Sequence, residues 1–173
     1  TGASLSLKNS IQLRTSAIDY KFSGDVDVGG YLEFEGNPSS DTGAVTFESG
    51  SALKVQNGGE ATIGYVAVTG GTAEQPLIEV AQGGTLNVRA RDHSIFSGTF
   101  QAAGTAIKNS GGTLNLDSGT ISTTSSDQPV ILSEGGAVKL EKTQKTNAAH
   151  ENQIPVITMA APAGAPAILA TGG

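Results

Sequence analysis

The chain has 173 residues, enough for one domain with a buried core, and its 24 glycines are about twice the usual share, whereas only 15% of residues are charged. The low charge excludes a helical bundle or coiled coil, and the absence of cysteine excludes a disulfide-stapled module and a thiolate zinc site. Lys+Arg 10 against Asp+Glu 16 leaves a net charge of −6, which opposes nucleic-acid phosphates, and no apolar run approaches the roughly 20 residues of a membrane span, so neither nucleic-acid binding nor membrane insertion is expected.

From the N-terminus, residues 1–19 read as a cap or a first rung, and no basic segment followed by an apolar one opens the chain as a secretion signal would. Leu5-Ser6-Leu7, Val26-Asp27-Val28, Leu32-Glu33-Phe34 and Val45-Thr46-Phe47 alternate apolar and polar residues with the period of two that marks a strand. Leu53-Lys54-Val55, Val66-Ala67-Val68 and Leu86-Asn87-Val88 do the same. Gly, Ser, Asn and Asp punctuate these short runs, and each tolerates turn geometry. Helical periodicity is absent, and Pro155 interrupts the one segment, 148–159, that could be tried as a helix.

A phrase recurs. Gly83-Gly84-Thr85-Leu86-Asn87-Val88 returns as Gly111-Gly112-Thr113-Leu114-Asn115-Leu116 and, more loosely, as Gly135-Gly136-Ala137-Val138-Lys139-Leu140. Gly29-Gly30-Tyr31-Leu32-Glu33-Phe34 and Ser49-Gly50-Ser51-Ala52-Leu53-Lys54-Val55 are relatives. Its context repeats too: Gln75-Pro76-Leu77-Ile78 precedes one Gly-Gly turn, Gln128-Pro129-Val130-Ile131 another, and Ala106-Ile107-Lys108-Asn109 a third. With Leu32, Leu53, Leu86, Leu114 and Val138 taken as equivalent, the offsets are 21, 33, 28 and 24 residues, as expected for a solenoid with variable loops. A sandwich would vary its strands, whereas repetition of one phrase favours like stacked on like. The expected fold is all-β: a single-stranded parallel β-helix of about six or seven short rungs, each adding about 4.8 Å. The solenoid domain is placed at 1–141, and 142–173 reads as a polar, then Ala/Pro/Gly-rich, tail or cap with a strand-like stretch at 154–159.

Candidate chemistry is sparse. The densest cluster of reactive side chains is Arg89, Arg91, Asp92 and His93. An acidic-sugar lyase would use an arginine beside a carboxylate in this way, but the cluster reads first as a polar loop between rungs and is assigned only as a binding site. The other histidine, His150, reads as a solvated tail residue. Asp25 and Asp27 share one strand face, as do Glu33 and Glu35. Such pairs serve calcium binding or glycoside hydrolysis, yet alternation with Val26 and Val28 inward also accounts for them as surface acids. The Ser/Thr run at 121–126 would suit a hydroxyl face or ordinary turns. No catalytic residue, metal site or cofactor is expected.

The phrases Gly-Gly-Thr-Leu-Asn-Val and Gly-Gly-Thr-Leu-Asn-Leu-Asp-Ser-Gly-Thr-Ile at 83–88 and 111–121, with Gly104-Thr105-Ala106-Ile107-Lys108-Asn109, resemble the passenger domains of bacterial autotransporters, the pertactin and AIDA-like adhesins. The resemblance covers residues 24–140 and implies a parallel β-helix displayed on a bacterial cell surface or secreted. It implies no active-site motif. The expected function is non-enzymatic: a structural or adhesive rod presenting the loops at 37–42, 70–75, 89–97 and 122–128 to a host receptor, a glycan or its own copies. The alternative is a virion decoration or fibre protein, a homo-oligomer (a trimer) on capsid or tail. A third reading is a polysaccharide-active β-helix enzyme.

Overall fold

The structure is a computed structural model, and it describes residues 4–15, 18–36, 43–48, 50–88, 99–141, 155–159 and 164–172. Strands are the only regular elements among the described residues, and every pairing between them is parallel. The chain is a parallel β-solenoid with three faces.

The first face stacks β1 (Leu5–Leu7), β4 (Val26–Val28), β7 (Leu53–Val55), β10 (Ile78–Val80), the starts of β13 (Ile107–Leu116) and β15 (Ile131–Leu140), and β17 (Ile168–Ala170). The second face stacks β2 (Ser10–Arg14), β5 (Tyr31–Glu35), β8 (Glu60–Gly64), β11 (Thr85–Val88) and the later halves of β13 and β15. Because β13 and β15 run unbroken round the corner, these two faces form one 11-stranded sheet. The third face is a separate six-stranded sheet of β3 (Tyr20–Phe22), β6 (Ala44–Phe47), β9 (Ala67–Gly70), β12 (Thr99–Ala102), β14 (Thr120–Thr123) and β16 (Val156–Thr158). Among the described residues this makes six three-stranded coils and the first strand of a seventh. The strand-like stretch in the C-terminal segment is β16, which pairs with β14, and β17 beyond it pairs with β15.

Register explains the alternation. Val26, Leu53, Ile78, Ile107 and Ile131 lie over one another, as do Leu32, Ala61, Leu86 and Leu114, and Val45, Val68, Phe100 and Ile121; all are buried. Intervening residues point outward. One assumed equivalence is corrected here. Leu53 stacks on Val26 and under Ile78, not in the column of Leu32, whose next neighbour is Ala61. A glycine-punctuated turn followed by apolar-polar-apolar occurs at two different corners, so Gly50 and the Gly-Gly doublets belong to different places in the coil. The true second-face offsets, 29, 25, 28 and 24 residues, are more even than those obtained with Leu53 included.

The doublets turn the chain from the first face to the second. At the second glycine a Cβ would strike the backbone of the preceding coil: Asn9 O at 2.7 Å for Gly30, Val55 O at 2.8 Å for Gly84, and the Gly112 carbonyl for Gly136. Coils 4.8 Å apart leave no room for a side chain at that place. In the fifth coil the corner has a further support. Asn109 takes the inward place that Val80 holds one coil earlier, and it is fully buried. Its Oδ1 accepts the Gly112 N–H at 2.8 Å, and its Nδ2 donates to the Gly135 carbonyl at 2.9 Å. A buried amide with both ends bonded pins the turn between two coils.

Three of the described phenylalanines cluster near the N-terminal end. Phe22 stacks on Phe47 with centroids 5.2 Å apart and lies tilted against Phe34 at 6.2 Å. Phe100 stands in the fourth coil, with aliphatic Val68 below it and Ile121 above. In the first coil Leu5 and Ile11 are in register with buried Val26 and Leu32 yet remain exposed, because no described strand lies beneath them.

Candidate functional site

The corners that lead from the third face back to the first differ in length. Between β9 and β10 the chain spends seven residues, 71–77; between β12 and β13 four, 103–106; between β14 and β15 seven again, 124–130. Two tall corners thus flank a low one, two coils apart or about 10 Å. The gap is a groove of about 300 Å³.

Both tall corners are built the same way. Thr72 Oγ1 accepts the N–H groups of Glu74 at 3.2 Å and Gln75 at 3.0 Å. Ser125 Oγ accepts those of Asp127 and Gln128, each at 3.2 Å. A hydroxyl folding the following backbone onto itself is a local turn that needs no neighbour. Proline follows at 76 and 129, and the next apolar pair re-enters the first face. The repeated Gln-Pro-apolar-Ile phrase is the foot of this corner.

The floor is the outward side of the first face. Glu79, Lys108 and Leu132 stand in register on β10, β13 and β15. Ala73, Glu74, Pro76, Thr105 and Gln128 form the corner wall, and Ser110 closes the opposite side. Glu134 is a hub at that rim: its Oε2 lies 3.1 Å from Lys108 Nζ and accepts the Ser110 hydroxyl at 3.2 Å. A shallower recess of about 130 Å³, lined by Lys54, Gln56 and Ala81, shares Glu79 and Ser110 and carries the groove back toward the third coil.

Among the described residues the charge in this track is acidic on balance. Lys54 Nζ is held by Asp25 Oδ2 at 2.6 Å, and this bond, helped by the nearby Glu79 and Asp27 and opposed by partial burial, raises the Lys54 pKa above its ordinary value. Lys54 and Lys108 are thus each already paired with a carboxylate, Asp25 and Glu134, while Glu74 and Glu79 add two further carboxylates to the described lining. Among the described residues the lining offers carboxylate and amide acceptors, hydroxyls and the separate apolar side chains of Ala73, Pro76 and Leu132. Such a surface could offer a ligand hydrogen bonds.

The residues singled out from sequence fall unevenly on this geometry. Arg89, Arg91, Asp92 and His93, the loops at 37–42 and 89–97, and His150 lie outside the described residues. The loops at 70–75 and 122–128 are both described, and they are the two tall corners of the groove. Asp25 and Asp27 are tied as hydrogen-bond acceptors, Asp25 to the Ala52 N–H at 3.0 Å and Asp27 to Gln56 Nε2 at 2.7 Å. Glu33 and Glu35 accept Gln12 Nε2 at 2.7 and 2.9 Å. Among the described residues no three or more His, Cys, Asp and Glu gather as metal ligands. The floor residues were missed by sequence reasoning. Their signal is position: each follows the isoleucine of Leu77-Ile78, Ala106-Ile107 and Val130-Ile131, the first outward place after the corner.

Comparison with protein-family models, with curated proteins and with solved structures finds no match to this chain.

Proposed function

We propose that the chain is a non-enzymatic display module: a rigid β-solenoid, borne on a bacterial cell surface or secreted, that adheres to a host receptor or glycan through the groove on its first face. The observation that carries this reading is the convergence of two like-built tall corners and three in-register floor residues on one groove. The continuous parallel ladder gives the stiffness that display requires, since loops on a rigid scaffold keep their geometry. The autotransporter-like phrases support the same placement.

The test is adhesion. Beads coated with the chain are passed over immobilised glycans and host-matrix proteins, beside beads carrying Glu79→Ala with Gln128→Ala. Both changed side chains point away from the core, so circular dichroism should be unaltered. Retention of the parent beads on at least one surface is expected, with most of it lost in the double variant. Equal retention of both, or none on any surface, overturns the reading.

A further inference from the structure

We infer that the third face binds ice, independently of the groove: its outward side chains form an array of hydroxyls and methyls suited to the surface of crystalline water. One outward column of the six-stranded sheet reads Ala44, Ala67, Thr99, Thr120 and Val156, and the other reads Thr46, Thr69, Gln101, Ser122 and Thr158, in parallel register from β6 to β16. None of these ten is charged, and each is half-buried or exposed. The outward places of the other two faces are different in kind. They carry Asp27, Lys54, Glu79 and Lys108 on the first, and Glu60 and Lys139 on the second.

Three properties of the array point to ice. It is regular: rows stand about 4.8 Å apart and the two columns about 6.6 Å apart. Pairing across these rows runs without a slip, whereas β13 and β15 shift register at their corner. A surface that repeats in two directions makes the same contact many times only on a partner that repeats as well, which a single sugar or a globular protein does not. It is also chemically like water. Every row holds a hydroxyl, and Thr69 Oγ1 lies 3.3 Å from Thr46 Oγ1, so the column already carries a hydroxyl-to-hydroxyl bond. A hydroxyl both donates and accepts, whereas a carboxylate only accepts and an ammonium only donates. Finally, it is stiff. Thr and Val are branched at Cβ and Ala has no rotamer to lose, so little side-chain entropy opposes contact. A second copy is a poorer occupant, because a frame of about 19 by 7 Å falls far short of the roughly 800 Å² that each partner gives a standard interface.

The experiment freezes a solution of the full chain slowly onto a cold finger and measures the chain in the ice and in the remaining liquid, beside a carrier protein that ice rejects. Enrichment of the chain in the ice is expected, with faceted crystals in place of rounded discs. Thr69→Lys and Thr120→Lys each set a long charge in the array and leave the inward columns alone. Each should lower incorporation on the order of tenfold, since an unpaired ammonium would have to be desolvated against the lattice. Thr113→Lys, the same change on the second face, should leave it unaltered. Thermal melts by circular dichroism separate loss of binding from loss of fold. Rejection of the parent chain from the ice, or equal incorporation of parent and third-face variants, overturns the inference. So does retention on powdered cellulose or chitin without enrichment in ice, which would assign the face to a crystalline polysaccharide. So does a dimer in light scattering that Thr69→Lys dissociates, which would assign it to a second copy. Bead adhesion through Glu79 and Gln128 is untouched by any of these outcomes.

Discussion

Gly59→Ala is expected to destabilise the chain by about 3 kcal/mol or more, whereas Gly58→Ala, one residue earlier, should cost only about 1–2 kcal/mol. The two glycines fail for different reasons. Gly58 has φ of +75° and open space where a methyl would stand, so alanine there carries only left-handed backbone strain. At Gly59 an alanine methyl would sit far inside van der Waals distance of the Val28 carbonyl oxygen. That oxygen cannot step aside freely, because it accepts the Gln56 N–H at 2.9 Å and so joins the second coil to the third. Relief of the clash therefore means parting two coils. Urea melts of both variants check this, and equal losses would show that the corner is not set by contact between coils.

Phe100→Ala is expected to cost about 3–5 kcal/mol, the range for emptying a buried aromatic site. Phe100 is 1% exposed and in register with Val68 below and Ile121 above, so its loss opens the middle of the stack. The neighbouring ladder holds Gly70, Ala102 and Thr123, which are too short to fill the space. With one methionine in the chain, little adaptable side chain is at hand. Phe22→Ala, at the half-buried end of the aromatic cluster, should cost clearly less. Chemical denaturation of the two variants measures the difference. A smaller loss at Phe100 than at Phe22 would mean that the middle coils are packed less tightly than their ladders require.

The repeated coil was legible because every coil meets the same demands: inward aliphatic residues, and a glycine where the preceding backbone passes too close for a Cβ. The placing of Leu53 was not. Gly50 and Gly59 are the same letter, yet Gly50 turns in open space and Gly59 is pressed against another coil. Only the stacking partners separate the two corners. Ala61 hid a second-face position for the same reason, since a small residue in a column of leucines does not announce itself. The tall corners were visible as loops and their Gln-Pro foot as a repeat, but their lying two coils apart depends on the true register. Glu79, Lys108 and Leu132 carried no pattern of their own, because outward positions are free of the packing that makes inward ones repeat.

The coiling itself is tested most directly by cross-linking a chain that has no native cysteine. Asn87 and Asn115 are in register on adjacent coils, and their side chains share a hydrogen bond of 2.8 Å. Asn115 is in turn in register with Lys139, which puts Lys139 two coils, about 10 Å, from Asn87. Oxidation of the chain carrying Asn87→Cys and Asn115→Cys should close a disulfide within the molecule, since adjacent coils fall inside the span a disulfide tolerates. The chain carrying Asn87→Cys and Lys139→Cys should remain reduced. Closure of the second pair without the first would contradict parallel, in-register stacking.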